Sequence, residues 1–146
     1  MIINFRLDKI SIQKKNKPSG PVEAKNNLKV VEMTEESISA LTKEKALNLK
    51  FTFTVNYEPN IANLEIEGSV TYMNDQKTVK EIFENWKKNK KIDQEVATPI
   101  FNHILSKCNI KALKLEEDVE LPFHIPIPRL MSKSGLSAPS KPLKAS

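Results

Sequence analysis

Leu47-Asn48-Leu49-Lys50-Phe51-Thr52-Phe53-Thr54-Val55-Asn56-Tyr57 and, four residues later, Ala62-Asn63-Leu64-Glu65-Ile66-Glu67-Gly68-Ser69-Val70-Thr71-Tyr72 decide the fold. In both stretches apolar and polar residues alternate strictly, the period of a half-buried strand. Glu58-Pro59-Asn60-Ile61 joins them, so the two form one long antiparallel hairpin. Pairing Tyr57 with Ala62 sets Val55 opposite Leu64, Phe53 opposite Ile66, Phe51 opposite Gly68, Leu49 opposite Val70 and Leu47 opposite Tyr72. Every pair then joins inward residue to inward residue. A slip of one position would turn one strand's apolar set into water, so burial itself pins the register. Each large side chain on this dry face contributes about 1.5–3 kcal/mol when buried. A two-stranded ribbon cannot bury such a face alone, so helices, another sheet or another subunit must cover it. Gly68 opposite Phe51 leaves room for a ring or a second backbone. The other face brings Thr52 near Glu67, Thr54 near Glu65 and Lys50 near Ser69.

Outward from the hairpin, Ile3, Phe5 and Leu7 alternate, then Ile10 and Ile12 alternate in the opposite parity. That change predicts a strand with a bulge at Asp8-Lys9. Pro18, Ser19, Gly20 and Pro21 mark a loop over 14–25. Leu28, Val30, Val31 and Met33 form a second short strand. Thr34-Glu35-Glu36 reads as a helix start, with Thr34 as cap, and Ile38 and Leu41 then face one side of a short helix or crossover loop. Beyond the hairpin, Val79, Ile82, Phe83 and Trp86 repeat at helical spacing. Asp93 caps a second helix with Val96, Ile100, Phe101, Ile104, Leu105 and Cys108 inward and Asn109 as its end. Pro99 either kinks this helix or opens it with Thr98 as cap. Leu121 to Pro128 carries three prolines and must be extended. Residues 131–146, rich in Ser, Pro and Lys, are expected to form a disordered basic tail after one domain over 1–130.

Composition narrows the function classes. The 146 residues are 39% hydrophobic and 28% charged, as in a globular domain, and no apolar run approaches a membrane span, so no membrane insertion is expected. No signal-peptide pattern opens the chain, and the single cysteine, Cys108, precludes an internal disulfide; a cytoplasmic location is expected. The net charge is +5, but Arg129, Lys133, Lys141 and Lys144 supply +4 of it, leaving the body near +1. With Arg6 and Arg129 as the arginines, this distribution argues against nucleic acid. Lys87-Lys88-Asn89-Lys90-Lys91 reads as a solvated turn.

Catalytic constellations find no support. His103 and His124 stand far apart in sequence, and no Cys/His/Asp/Glu cluster has metal-ligand spacing. Gly20, Gly68 and Gly135 cannot build a phosphate-cradling loop. Glu65 and Glu67 lie about 7 Å apart on one strand face, but alternate with threonines as a solvated or interface face does. No enzyme activity, metal or cofactor is therefore expected. Surplus apolar residues outside the periodic elements could cover the core or line a groove for an extended peptide. The groove candidates are Leu28, Val30, Met33, Ile38, Leu41, Phe83, Phe123 and Ile125.

The order of elements, together with Lys9-Ile10-Ser11-Ile12, Phe51-Thr52-Phe53-Thr54-Val55 and the extended segment Leu121 to Leu130, resembles the SecB-type export chaperones and their bacterial and archaeal SecB-like relatives. The resemblance covers about residues 3–130 and is one of topology and pattern. It implies an α+β fold, a four-stranded antiparallel sheet with helices packed on one face, assembled as a dimer of dimers. It implies an ATP-independent holdase for unfolded or precursor polypeptides, and gives Thr52, Thr54, Glu65 and Glu67 a role as subunit interface. The chain departs from the family where 87–93 splits the helical region and where the tail is basic. Classical members end in an acidic segment that meets the translocation motor, so the second departure bears on motor binding and leaves client holding untouched. The alternative is a non-enzymatic subunit dedicated to one protein partner, such as a toxin or a translocation component. A weak nucleic-acid binder using the lysine run and the tail is a third class.

Overall fold

The computed structural model describes residues 1–126. Strands β1 (Ile2–Lys14), β2 (Glu23–Ser37), β3 (Lys45–Glu58) and β4 (Ala62–Tyr72) precede helices α1 (Gln76–Asn89) and α2 (Gln94–Asp118). The strands form one antiparallel sheet in the order β1-β4-β3-β2. The central hairpin has the register derived from burial: Tyr57 pairs with Ala62, Phe53 with Ile66, Phe51 with Gly68 and Leu47 with Tyr72. Its dry face is buried almost completely under the two helices. Helix α1 packs on β3 and β2, and α2 on β4 and β1. The hairpin turn sets Asn60 at φ 53°, a left-handed conformation that asparagine tolerates well.

The predicted bulge in β1 is present, as a register shift between Leu7 and Lys9. Phe5 and Leu7 therefore share the dry side with Val70 and Gly68, and Ile12 does so with Leu64. Gly68 serves both expected purposes. A Cβ there would lie 2.2 Å from the Arg6 carbonyl oxygen, 3.0 Å from Phe51 Cζ and 3.1 Å from Leu7 Cα. The missing side chain lets β1 approach while the Phe51 ring lies across the gap.

Two expectations need correction. Thr34-Glu35-Glu36 does not start a helix; β2 continues through Ser37, with Thr34, Glu35 and Glu36 paired to Asn48, Leu47 and Ala46. A ladder offered by the long β3 outweighs a capping signal with few apolar residues behind it. Of the two forms expected around Ile38 and Leu41, a short helix or a crossover loop, the β2–β3 link over 38–44 takes the loop, with a turn at its tip. Finally, α2 runs through Asn109 to Asp118. Its buried stripe, Ile100, Ile104, Cys108, Ala112 and Glu116, continues past that position, and the Asn109 side chain is engaged by His124.

Capping is stronger for α1 than for α2. Asp75 accepts bonds from the Thr78 backbone N–H and hydroxyl, both at 2.9 Å, and these hold its carboxyl below the usual range. The Gln76 amide ties this end to β3 by bonding both the N–H and the C=O of Lys45. At the other end Lys90 adopts φ 55° and returns its N–H to the Trp86 carbonyl at 2.9 Å, which stops the helix. Pro99 lies inside α2, which begins at the predicted Asp93 cap position. Where an extended run over Leu121 to Pro128 is expected, the described part, 121–126, joins no described strand and bends at His124 and Ile125; residues 127–128 lie outside the described residues. The predicted tail over 131–146 lies outside the described residues.

Gly68→Ala is expected to destabilise the fold by about 1–3 kcal/mol, because backbone rather than a flexible side-chain end must give way. Urea unfolding followed by far-UV circular dichroism measures this; a midpoint equal to wild type would refute the close approach.

Candidate functional site

Beside the edge strand β2 the helical layer opens into a groove of about 560 Å³. Leu28, Lys29, Val30 and Val31 form one wall; Trp86, Lys90, Ile92, Ala97 and Phe101 form the other. The cause is local. Lys90 turns the chain out of α1, and α2 does not begin until Gln94. Sheet residues beyond the central pair are thus covered only partly. Leu28 and Val30 stand opposite the buried Phe53 and Phe51, yet remain half-exposed. The floor is apolar, and the charged side chains on the rim are Lys29 and Lys90, with no carboxylate in the lining. The Lys90 ammonium lies 5.5 Å from the centre of the Trp86 ring, close enough for a cation–π contact. A second hollow, of about 590 Å³, is bounded only by α1 residues from Lys77 to Asn89; one side of a single helix cannot enclose a ligand.

The sequence candidates fall in several places. Leu28 and Val30 line the groove. Met33 is 5% exposed and belongs to the core, because its register opposite Leu49 carries it beneath the helices. Ile38 and Leu41 sit in the β2–β3 link, with Leu41 95% exposed. Phe83 is partly buried against the core, under the Lys87 ammonium at 5.3 Å. Phe123 and Ile125 belong to segment 121–126, Phe123 exposed and Ile125 half-buried. None of these last five is in the groove wall. The groove residues that sequence reasoning missed are Lys29, Val31, Trp86, Lys90, Ile92, Ala97 and Phe101. Trp86 and Phe101 were visible as apolar positions of two helical stripes; the gap between the stripes was not.

No protein-family model matches the sequence, and a search of curated proteins returns no match. The chain is similar to a SecB-like chaperone of known structure. That protein is Rv1957 of Mycobacterium tuberculosis, solved in complex with a ChAD peptide from the Rv1956 HigA1 antitoxin. The two are 14% identical with a TM-score of 0.48, over 90% of this chain and 92% of that one.

On the sheet face away from the helices, Thr52 pairs with Glu67 and Thr54 with Glu65, so the four expected interface residues are brought together. All are half-exposed, and Glu65 accepts the Lys9 ammonium at 2.7 Å.

Segment 121–126 is held by a buried polar cluster that sequence reasoning also missed. Glu116, 0% exposed, accepts the His124 backbone N–H at 3.1 Å. The same carboxylate faces His124 Nδ1, at 2.7 Å from Oε2 and 3.0 Å from Oε1, while Nε2 lies 2.8 Å from Asn109 Oδ1. Oxygen thus faces both ring nitrogens. The Tyr57 hydroxyl donates to the Pro122 carbonyl. The Phe53 and His124 rings meet edge to face.

Removing one member of a buried pair strands the other. Glu116→Ala is therefore expected to cost about 3–5 kcal/mol, and the Glu116→Ala/His124→Ala double variant less than the sum of the singles. Urea titrations of the three variants measure the coupling; strictly additive losses would refute it.

Burial raises the Tyr57 phenol well above its ordinary value of 10.0, with help from the neighbouring Glu116 charge. Burial also pushes the Cys108 thiol up from 9.0 to about 12. Both ionise earlier in the unfolded chain, so their stabilising contribution is intact below those ordinary values and is lost as pH rises toward the folded ones. The urea midpoint should fall from about pH 9 to 11, less steeply in Cys108→Ala; a flat profile would contradict it.

Proposed function

We propose that this protein is an ATP-independent holdase that binds unfolded polypeptide in the groove between β2 and the α1–α2 connection. The observation that carries the reading is the groove itself: an apolar floor left open beside an edge strand. Unfolded chains offer both things such a site can use, spaced apolar side chains and unpaired backbone. No step of this activity needs a nucleotide or a reactive side chain; the work is reversible burial of apolar surface. Leu28 and Val30 are the first contacts in this reading. The exposed Ile38, Leu41 and Phe123 are further contacts for a long client, and Phe83 and Ile125 are secondary ones.

The proposal extends to assembly and location. Thr52, Thr54, Glu65 and Glu67 would meet the same face of a second copy, in a dimer that pairs again into a tetramer. The cytoplasm is where newly made chains, including precursors awaiting export, are still unfolded.

Purified protein should suppress aggregation of a chemically unfolded client at near-stoichiometric ratio without ATP. Val30→Asp and Phe101→Asp should each lower that protection about tenfold, since an unpaired charge in an apolar contact is strongly disfavoured. Light scattering follows the aggregation, and no suppression by wild type at tenfold excess would sink the reading. One partner co-purifying at fixed stoichiometry, without affinity for unfolded chains, would select the dedicated-subunit alternative.

A further inference from the structure

The lining of the groove contains a detail that narrows what it binds. Successive strand residues point to opposite faces of a sheet, yet the consecutive residues Leu28, Lys29, Val30 and Val31 all border the groove. At Val31 the bulge between Val30 and Glu32 breaks the alternation; Lys29 lies before the bulge and borders the groove from the outer edge of β2. Strand β2 ends the sheet order and, among the described residues, pairs with β3 alone. Its outward N–H and C=O groups have no strand partner among those residues and can bond a further strand over roughly 10 Å.

The charge on this edge is specific too. Arg6, Lys9, Lys25 and Lys50 are paired with Asp8, Glu65, Glu58 and Glu32 on the sheet. Lys29 and Lys90, the two cations at the groove, have no carboxylate within salt-bridge distance among the described residues. They also lie on different sides of an added strand. Lys29 is in register with Thr52 on the polar face, whereas Lys90 stands over Trp86 on the helix side.

We propose that the groove takes its client by strand addition to β2, selecting extended segments in which apolar residues alternate with Asp or Glu. The apolar side chains enter between Leu28, Val30, Trp86 and Phe101. The alternate acidic side chains fall on the other face, beside Lys29, as a cross-strand pair of opposite charge. An acid at the end of the segment meets Lys90. This inference rests on the holdase reading and sharpens it from any unfolded chain to one pattern.

Trp86 is the only tryptophan, so its emission in the full-length protein reports binding directly. Four synthetic peptides suffice: one alternating Val and Glu, one alternating Val and Lys, and two Val–Glu peptides N-methylated on the residues of one edge or of the other. The Val–Glu peptide should bind saturably and about tenfold tighter than the Val–Lys peptide at low salt, an advantage that shrinks toward 1 M salt. N-methylation on one edge, but not the other, should weaken it about tenfold, and Lys29→Glu should shift the preference toward the Val–Lys peptide. Equal affinity for the two charge patterns, or indifference to methylation on both edges, overturns the inference. If aggregation suppression persists in that case, the holdase reading stands without it. If no peptide perturbs Trp86 and no client is protected, both fall.

Discussion

Phe51, Gly68 and the β1 backbone meet at one point, and the layout of the sheet depends on that contact. Strand β4 is flanked by β1 and β3, and at Gly68 the Arg6 carbonyl oxygen occupies the space a Cβ would need. The ring of Phe51 covers the same gap and stacks on Phe5, with centroids 5.6 Å apart. One residue without a side chain thus lets the first strand, met before the hairpin exists, dock against its last. The alternation of the hairpin does the rest. With the register set by burial, the dry residues of all four strands point one way, and a single helical layer can cover them.

That layer is too narrow for the sheet. The buried stripes of α1 and α2 account for the dry face of β3 and β4, where side chains such as Phe53, Leu64 and Ile66 are fully enclosed. On β2 the same face is enclosed at Met33 and half-open at Leu28 and Val30. The difference follows from the connection between the helices. Gln76 bound to Lys45 sets where α1 begins, and its length carries it to the left-handed Lys90, where coverage ends. The groove is therefore a consequence of helix length and capping. Over Tyr57 and Phe53 of β3 the chain covers its own sheet by other means, strapping 121–126 down through Glu116 and His124.

Legibility in the sequence followed the strength of the period. The hairpin, its register, the β1 bulge and α1 could all be read, because each rests on many residues obeying one repeat. Strand β2 beyond Met33 could not, because Thr34, Glu35 and Glu36 are polar on both faces and only the partner strand makes them extended. Asn109 looked like a helix end because asparagine tolerates the left-handed turn, but its side chain was needed by a histidine fifteen residues away. Glu116 stands in the run Glu116-Glu117-Asp118, and nothing local marks it as the fully buried one. Half of the groove is similarly tertiary. Leu28 and Val30 were identifiable as surplus apolar residues, whereas Trp86 and Phe101 were in phase with helical stripes and so looked like core.

An open edge strand is a liability, since its unpaired backbone can pair with any other edge, including that of another copy of the same chain. Strand β2 carries two of the usual protections, a bulge between Val30 and Glu32 and an exposed lysine at position 29. Both act against self-pairing: the bulge disrupts a regular ladder, and two β2 edges paired symmetrically about position 29 would set lysine against lysine. Neither excludes a partner of opposite charge that is short and flexible enough to follow the bend. The features that keep β2 from joining its own copies thus leave it suited to a segment of unlike charge and no fixed shape. A lysine at the edge suits a site that must hold chains loosely and release them, because an exposed ion pair contributes only about 0.2–1 kcal/mol and the groove beside it is shallow enough to let go.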